Sequence, residues 1–359
     1  HNGTEIMSDP SVELLAQQLH DLEGKCLIVA DENWDDAPWL TIAQSGSAKR
    51  ILRSNRYEIA QAAAKAGVST KFSDFDFSDL EAGSFDSVLF RVSKERAVSH
   101  HIINQASVLL KRGGILMLSG EKTDGVKTYT GHANKLFGDS CQPKKCGNYY
   151  LSRLTQYSDD GKLLDDKNYL SLRSISSPDN LPLQSKPGIF GWNKIDQGSA
   201  LLINQFPQFV QSFGEANRPQ SLLDLGCGYG FLACAAAQQG FEQITATDNN
   251  AAALNACTKN FAALEVNGTV ISGDAGSQLE ERFDAIICNP PFHQGFNIDS
   301  ELTAKFLTAS KRLLAPKGRA LFVVNNFIAL EKKALDYFPR VREVARSGSF
   351  KLIMVSFKD

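Results

Sequence analysis

Short apolar runs alternate along this chain with longer stretches of helical apolar spacing, and the alternation occurs twice. In the second half an apolar run from Phe283 to Cys288 leads into a helix-like stretch. A Leu313-Leu314 turn closing at Gly318 follows, then a second apolar run to Val324. In the first half Phe85 to Phe90 leads through a helix-like stretch to Leu109-Leu110, Gly114 and an apolar run to Leu118. The spans from strand start to turn are 24 residues (Phe85 to Leu109) and 30 residues (Phe283 to Leu313). Continuous apolar runs of strand length suit strands buried on both faces, and the helices between them form the crossovers of a parallel sheet. The pattern predicts two tandem α/β domains of Rossmann-like build, related by duplication.

Between the copies, roughly 158 to 191, helical periodicity lapses. Asp159-Asp160-Gly161, Pro178-Asp179-Asn180 and Lys186-Pro187-Gly188 are turn signals there. Tyr169 to Ile175 and Leu181 to Gln184 are candidates for a small hairpin. A boundary at Asp165 gives a first domain of residues 7–164 and a second of 165–359, with the hairpin as an amino-terminal cap of the second. The six residues before Met7 read as an expression remnant and are left out of the fold. The copies diverge where chemistry would sit. Leu222 to Gly230 carries three glycines, whereas its counterpart from Cys26 to Asn33 has none; Asn289-Pro290-Pro291-Phe292 has Arg91-Val-Ser-Lys94 as its counterpart. The first domain is expected to be degenerate and to lack a cofactor site.

A length of 359 residues fits two domains, and 43% hydrophobic with 22% charged residues is ordinary globular composition. No apolar run reaches the roughly 18 residues that a membrane helix needs. The seven cysteines form no C-x-x-C pair. Reduced thiols in a cytoplasmic protein are therefore expected, rather than a disulfide framework or a metal site. A net charge of −2 argues against coating nucleic acid by bulk electrostatics. Charge is nevertheless uneven: from Lys311 to Asp359 there are eleven Lys/Arg against four Asp/Glu, and Lys122, Lys127, Lys135, Lys144 and Lys145 form a second basic group. Such patches suit phosphate contacts or simply a solvated face.

Asn289-Pro290-Pro291-Phe292 follows a buried strand directly. Two prolines stiffen the loop and remove its N–H donors, leaving an amide side chain, carbonyls and an aromatic ring in set positions. A planar exocyclic amine needs such acceptors and such a face; the competing reading is a plain turn at a strand end. Upstream, Asp224, Gly226, Gly228 and Gly230 form a D-x-G-x-G-x-G loop between a short apolar strand and an alanine-rich helix from Phe231 to Gln239. Glycines there permit the tight turn and close approach of a ligand to the backbone. The next strand ends in Asp248, 18 residues beyond Gly230, with Asn249 beside it. A carboxylate at that place can accept from ribose hydroxyls. A third strand end supplies Asp274, where an adenine amino group could lie. Either aspartate could instead cap a helix. The loop also fits a dinucleotide, but the acid two residues before the first glycine and the Asn-Pro-Pro-Phe loop favour S-adenosylmethionine.

These motifs resemble class I S-adenosylmethionine-dependent methyltransferases acting on exocyclic amino groups, and more narrowly the RsmC-type enzymes that methylate guanine N2 in 16S ribosomal RNA. The resemblance runs over nearly the whole chain. It takes in Pro187 to Phe190, Asp196 to Leu202, Leu223 to Gly228, Asn289 to His293, Gly120 to Lys127, and Ser347 to Lys351. It implies two methyltransferase-like domains of which only the second binds cofactor, and the assembled 30S subunit as partner, with no metal and no membrane, in a monomer. It also implies that Phe190, Asp196 and Ser199 close over the methionine end of the cofactor. Asn289 and the Pro290 carbonyl would accept the two N–H bonds of the target amine, and Phe292 would stack on the base. Pro291 and His293 would lie near the substrate; a lone histidine there is as readily structural as a base. A sister family, RlmG, shares the architecture and modifies 23S RNA. Amino-methyltransferases of adenine N6 or protein glutamine share the loop. A non-catalytic RNA-binding or assembly factor is the alternative of a different class, and it leaves the aligned cofactor groups of the second domain without a use.

Overall fold

The computed structural model describes residues 8–158, 160–292 and 296–359. The chain folds as two compact units that divide between Ser171 and Leu172. The first contains α1 (Pro10–Gln18), β1 (Lys25–Ala30), α2 (Trp39–Gln44), β2 (Lys49–Ser54), α3 (Tyr57–Lys65), β3 (Ser69–Phe72), β4 (Phe85–Arg91), α4 (Arg96–Leu109), β5 (Leu110–Glu121), α5 (Val126–Phe137), β6 (Lys144–Cys146) and β7 (Tyr149–Thr155). The second opens with a hairpin, β8 (Arg173–Ile175) and β9 (Leu183–Ser185), then α6 (Gln197–Asn204) and α7 (Phe206–Gln211). It continues with β10 (Leu222–Leu225), α8 (Phe231–Gln238), β11 (Ile244–Asp248), α9 (Ala251–Ala263), β12 (Gly268–Ser272) and β13 (Phe283–Cys288). The last elements are α10 (Phe296–Leu313), β14 (Leu314–Asn325), α11 (Leu330–Ala334), β15 (Arg340–Ser347) and β16 (Phe350–Ser356).

Each unit is built on a seven-stranded sheet, and the two sheets have one topology. The orders are β3-β2-β1-β4-β5-β7-β6 and β12-β11-β10-β13-β14-β16-β15. The first five strands of each order run parallel; the last two close the sheet as an antiparallel hairpin. Even the irregularities match. The pairing of β4 with β5 slips between Phe85 and Ser87, and that of β13 with β14 slips between Phe283 and Ala285. A shared bulge at the same strand position is a local choice that duplication explains and packing alone does not demand. Both central strands are apolar on both faces, as helices on either side require: Leu27, Ile28 and Val29 in one sheet and Leu222, Leu223 and Leu225 in the other are fully buried.

The boundary lies later than the expected Asp165. Tyr169 explains the shift: its ring is buried in the core of the first unit, stacks on His101 at 4.4 Å, and its hydroxyl donates to Asp74 at 2.7 Å. Residues 165–171 therefore fold with the first unit. The hairpin forms from Arg173 to Ile175 only, paired with Leu183 to Ser185, and packs in the core of the second unit through Leu183. Among the described residues no helix is long and apolar enough to cross a membrane. None of the groups of His, Cys, Asp and Glu among them could hold a metal ion. All seven cysteines are free thiols, and five are buried.

Candidate active site

The carboxyl ends of β10, β11, β12, β13 and β14 share one edge of the second sheet, where parallel α/β folds bind ligands. At the end of β13, Asn289 is half-buried and its Nδ2 donates to Asp196 Oδ2 and to Ser199 Oγ, both at 2.8 Å. A carboxylate accepts only, so this pairing fixes which way the amide faces. The carbonyl oxygen is the acceptor that the side chain has left to offer. Asp196 is itself held as the N-cap of α6, accepting from the Ser199 backbone N–H at 2.9 Å. A Cβ on Gly198 would sit 2.9 Å from Asp196 Oδ2 and 3.0 Å from the Phe350 ring. Only glycine lets the capping turn and the β16 aromatic close on each other at this point.

The glycine loop is laced to β11. The N–H groups of Gly226 and Cys227 both donate to the Thr247 carbonyl at 2.9 Å, and Gly228 N–H donates to Asp248 Oδ2 at 2.8 Å. Gly230 has φ +94°, and a Cβ on it would lie 2.8 Å from Cys257 Sγ, so α8 can start there only from glycine. Asp248 Oδ1 accepts from Asn250 N–H at 2.9 Å. The cap of α9 is Asn250, not Asp248, because its Oδ1 accepts from Ala252 N–H. Asn249, half-buried, lies between these two residues.

Asp224 is fully buried and is not presented at an open edge. Its Oδ2 accepts from Ala233 N–H in the first turn of α8 at 3.1 Å, while Oδ1 is buried without a hydrogen bond. Burial raises its pKa to about 7, the Asp248 charge adds to the rise, and the Ala233 N–H opposes it. Asp274 is no helix cap. Its carboxylate is paired with Lys305 Nζ of α10 at 2.9 and 3.0 Å.

In the Asn-Pro-Pro-Phe loop, Pro290 is buried and its carbonyl accepts Phe292 N–H at 2.8 Å, a tight turn that holds the loop without proline donors. Pro291 is exposed. Phe292 is only 3% exposed and lies edge to face with Phe306, 6.0 Å between ring centres. Its ring belongs to the core here, and stacking on a base would require it to leave that core. Phe190, by contrast, is 65% exposed on the loop before α6. His293 lies outside the described residues.

The family model "Methyltransferase small domain" matches residues 180–354, and "Methyltransferase small domain N-terminal" matches residues 12–149. A ribosomal RNA small subunit methyltransferase C of Marinomonas sp. is 30% identical over 259 residues, 69% of this chain and 71% of that protein. The chain belongs to this methyltransferase family. The enzyme of the same name from Shewanella amazonensis is 26% identical over 350 residues, 97% of this chain and 98% of its own. A solved structure titled T. thermophilus 16S rRNA N2 G1207 methyltransferase (RsmC) in complex with AdoMet and guanosine aligns with a TM-score of 0.81 at 23% identity. It covers 99% of this chain and 93% of that one, a likeness of fold.

Membership in the family gives the first unit its meaning as a methyltransferase-like domain. Its strand end β4 places Arg91 where β13 places Asn289, since Ser87 and Ala285 take the same place in the two registers. Arg91 Nε pairs with Asp9 Oδ2 at 3.0 Å and Nη1 with Asp124 Oδ2 at 2.8 Å, and Nη1 also donates to the Val92 carbonyl. Asp9 is the N-cap of α1, as Asp196 is of α6. Burial works against the Arg91 charge, but Asp9, Asp124 and Asp31 outweigh it and hold the guanidinium more firmly protonated than usual.

Several residues of the site went unnoticed in the sequence. Asn250 Nδ2 donates to the Gly188 carbonyl at 2.9 Å, tying the Phe190 loop to the end of β11. Fully buried Asn260 bridges the hairpin and the glycine loop, donating to the carbonyls of Gln184 and Tyr229. Lys305 is the third. A polar residue inside the apolar face of α9 was the signal for Asn260; Asn250 was hidden in the Asp248-Asn249-Asn250 run, and nothing local marks Lys305.

Proposed function

We propose that this chain transfers a methyl group from S-adenosylmethionine to the exocyclic N2 amino group of a guanine in 16S ribosomal RNA, on the assembled 30S subunit, and that the second unit alone carries the site. The observation that carries the reading is the Asn289 amide, held by its N–H₂ on Asp196 and Ser199 with its carbonyl oxygen left to accept. The names of the relatives supply the nucleic acid and the base.

The residues present fit the cofactor. The glycine loop offers close backbone approach, Asp248 puts a carboxylate at the end of β11 beside that loop, and the buried Asp224 Oδ1 lacks a partner. Asp196 and Ser199 stand beside Asn289 for the methionine end, and Asp274 would have to share its carboxylate with Lys305 to meet an amino group. When bound, S-adenosylmethionine supplies an electrophilic methyl carbon on a sulfonium. Asn289 Oδ1 and the second lone pair of the Pro290 carbonyl accept the N–H bonds of the guanine amine. The ring otherwise delocalises that nitrogen's lone pair; two fixed acceptors favour a pyramidal nitrogen and meet the positive charge that develops on it. The methylated nitrogen then sheds one proton to water, so no strong base is needed at the site.

The test incubates the protein and labelled S-adenosylmethionine with 30S subunits, 50S subunits and naked 16S RNA in parallel, followed by nucleoside analysis. N2-methylguanosine from 30S subunits is the expected product. Label in 50S subunits alone, or in adenine, would replace this reading with one of its relatives.

A further inference from the structure

With Phe292 turned into the core, the aromatic surface that faces outward at this edge is elsewhere. The turn after β14 carries Phe327, 69% exposed. Its backbone is not loose. Asn326 N–H donates to the Ser349 carbonyl at 2.8 Å, Asn326 Nδ2 to the Gly348 carbonyl at 2.9 Å, and Ile328 N–H to the Asn325 carbonyl at 3.0 Å. A large aromatic ring is thus held out in water by a turn pinned at three points.

Its place relative to the active site follows from the register. Cys288 of β13 lies opposite Phe322 of β14, so Asn289 is level with Val323 on the neighbouring strand. Phe327 is four residues further along, at most about 14 Å of chain and less through the turn. That is within reach of a nucleotide flanking the base whose amine meets Asn289. Lys332 and Lys333 lie on α11 immediately beyond, next to Glu331, which pairs with Lys351; Arg346, one residue before the end of the edge strand β15, sits opposite Lys351 and pairs with Glu343. The matching turn of the first unit, counted from the aligned ends of β5 and β14, carries Thr123 in place of Phe327. The ring is present only in the copy that has the amide.

We infer that Phe327 is a stacking platform for the nucleotide flanking the target guanine, with Lys332, Lys333 and Arg346 meeting the phosphates beside it. The inference rests on the RNA-methyltransferase reading given above. Stacking of a base on an aromatic side chain is tolerant of sequence and is lost with the ring, whereas phosphate contacts set the salt dependence.

The experiment measures equilibrium binding of 30S subunits and of 16S RNA by the full chain as wild type, Phe327→Ala, Phe327→Trp, Lys332→Ala/Lys333→Ala and, as control, Leu335→Ala, which removes another exposed apolar side chain nearby. Calorimetry with S-adenosylmethionine runs alongside. Phe327→Ala should bind about 5- to 100-fold more weakly, with unchanged cofactor affinity and an unchanged salt slope. Phe327→Trp should restore binding, the lysine pair should flatten the salt slope, and Leu335→Ala should match wild type. Wild-type RNA affinity in Phe327→Ala would overturn the proposal, as would a cofactor defect, failure of Phe327→Trp to rescue, or an equal loss in Leu335→Ala, which marks a protein contact instead. If the wild type binds neither 30S subunits nor RNA, the parent reading fails rather than this one.

Discussion

The two units aim the same kind of aspartate, an N-cap of their first helix, at the residue that ends the fourth strand of the sheet, and they differ in what they find there. In the first it is Arg91, whose guanidinium is spent on Asp9, Asp124 and a carbonyl. In the second it is Asn289, whose N–H₂ is spent on Asp196 and Ser199 while its carbonyl oxygen is not. Arginine has five donors and no acceptor; an amide has both. The cap geometry is therefore common to both copies, and a change of one side chain replaces an amide with an open acceptor by a closed set of ion pairs. The exchange of this side chain is not decay of the fold: the strand order and even the slip of register between the fourth and fifth strands persist.

The largest expected effect that tests this contrast is Asn289→Ala, which should lower turnover about 100- to 1,000-fold, as loss of one transition-state hydrogen-bonding group does elsewhere, with cofactor binding retained. Single-turnover kinetics with 30S subunits would measure it, and undiminished turnover would remove Asn289 from the reaction. Arg91→Ala should leave turnover alone and cost the first unit about 3–5 kcal/mol, since it strands buried Asp124 without its partner. Urea unfolding reads that loss; a drop in turnover without it would mean that these ion pairs communicate with the chemistry. Next in size, Asp248→Ala should weaken S-adenosylmethionine binding by at least about tenfold, the loss of a charged hydrogen-bond acceptor. In the wild type calorimetry should find one site per chain. A stoichiometry of two would show that the first unit keeps a working site.

The smallest effect concerns pH. Between the ordinary carboxylate range and about 7, folded Asp224 holds a proton that the unfolded chain has already lost, so this group makes stability fall as pH rises through that window. The penalty is fully present above about 7. Asp224→Asn, which cannot ionise, should raise the melting temperature relative to wild type at pH 8 more than at pH 5. An equal change at both pH values would mean that Asp224 ionises normally.

Much of this was legible in the chain. Alternating apolar runs pointed to the duplicated α/β architecture, because burial on both faces of a parallel sheet leaves few polar positions to blur the pattern. The glycine loop, Asp248 and Asn289 stood out because each lies at or just past the end of a strand. What escaped were contacts between residues far apart in sequence. Asn289 meets Asp196 and Ser199 across 93 and 90 residues, and family resemblance, not spacing, had named those two. Lys305 meets Asp274 across 31 residues and occupies a carboxylate that looked available. Phe292 read as a stacking surface because sequence shows that a ring is present, not which way it turns; Phe306 on α10 offers it a dry edge-to-face contact. The unit boundary moved because Tyr169, an aromatic in a stretch without periodicity, found its partners Asp74 and His101 behind it rather than ahead.

The contact between Gly198 and Phe350 has one more consequence. The two residues that close on each other there are 152 positions apart in the order of synthesis. A nascent chain that has emerged only through β14 holds the glycine loop, Asp248 and Asn289 but lacks the strand that packs against the α6 cap. Such a chain is still tethered to the kind of particle its relatives are named for modifying. Because β16 follows β14 in the chain, the α6 cap gains its aromatic neighbour only after every strand of the parallel part of the sheet has been made.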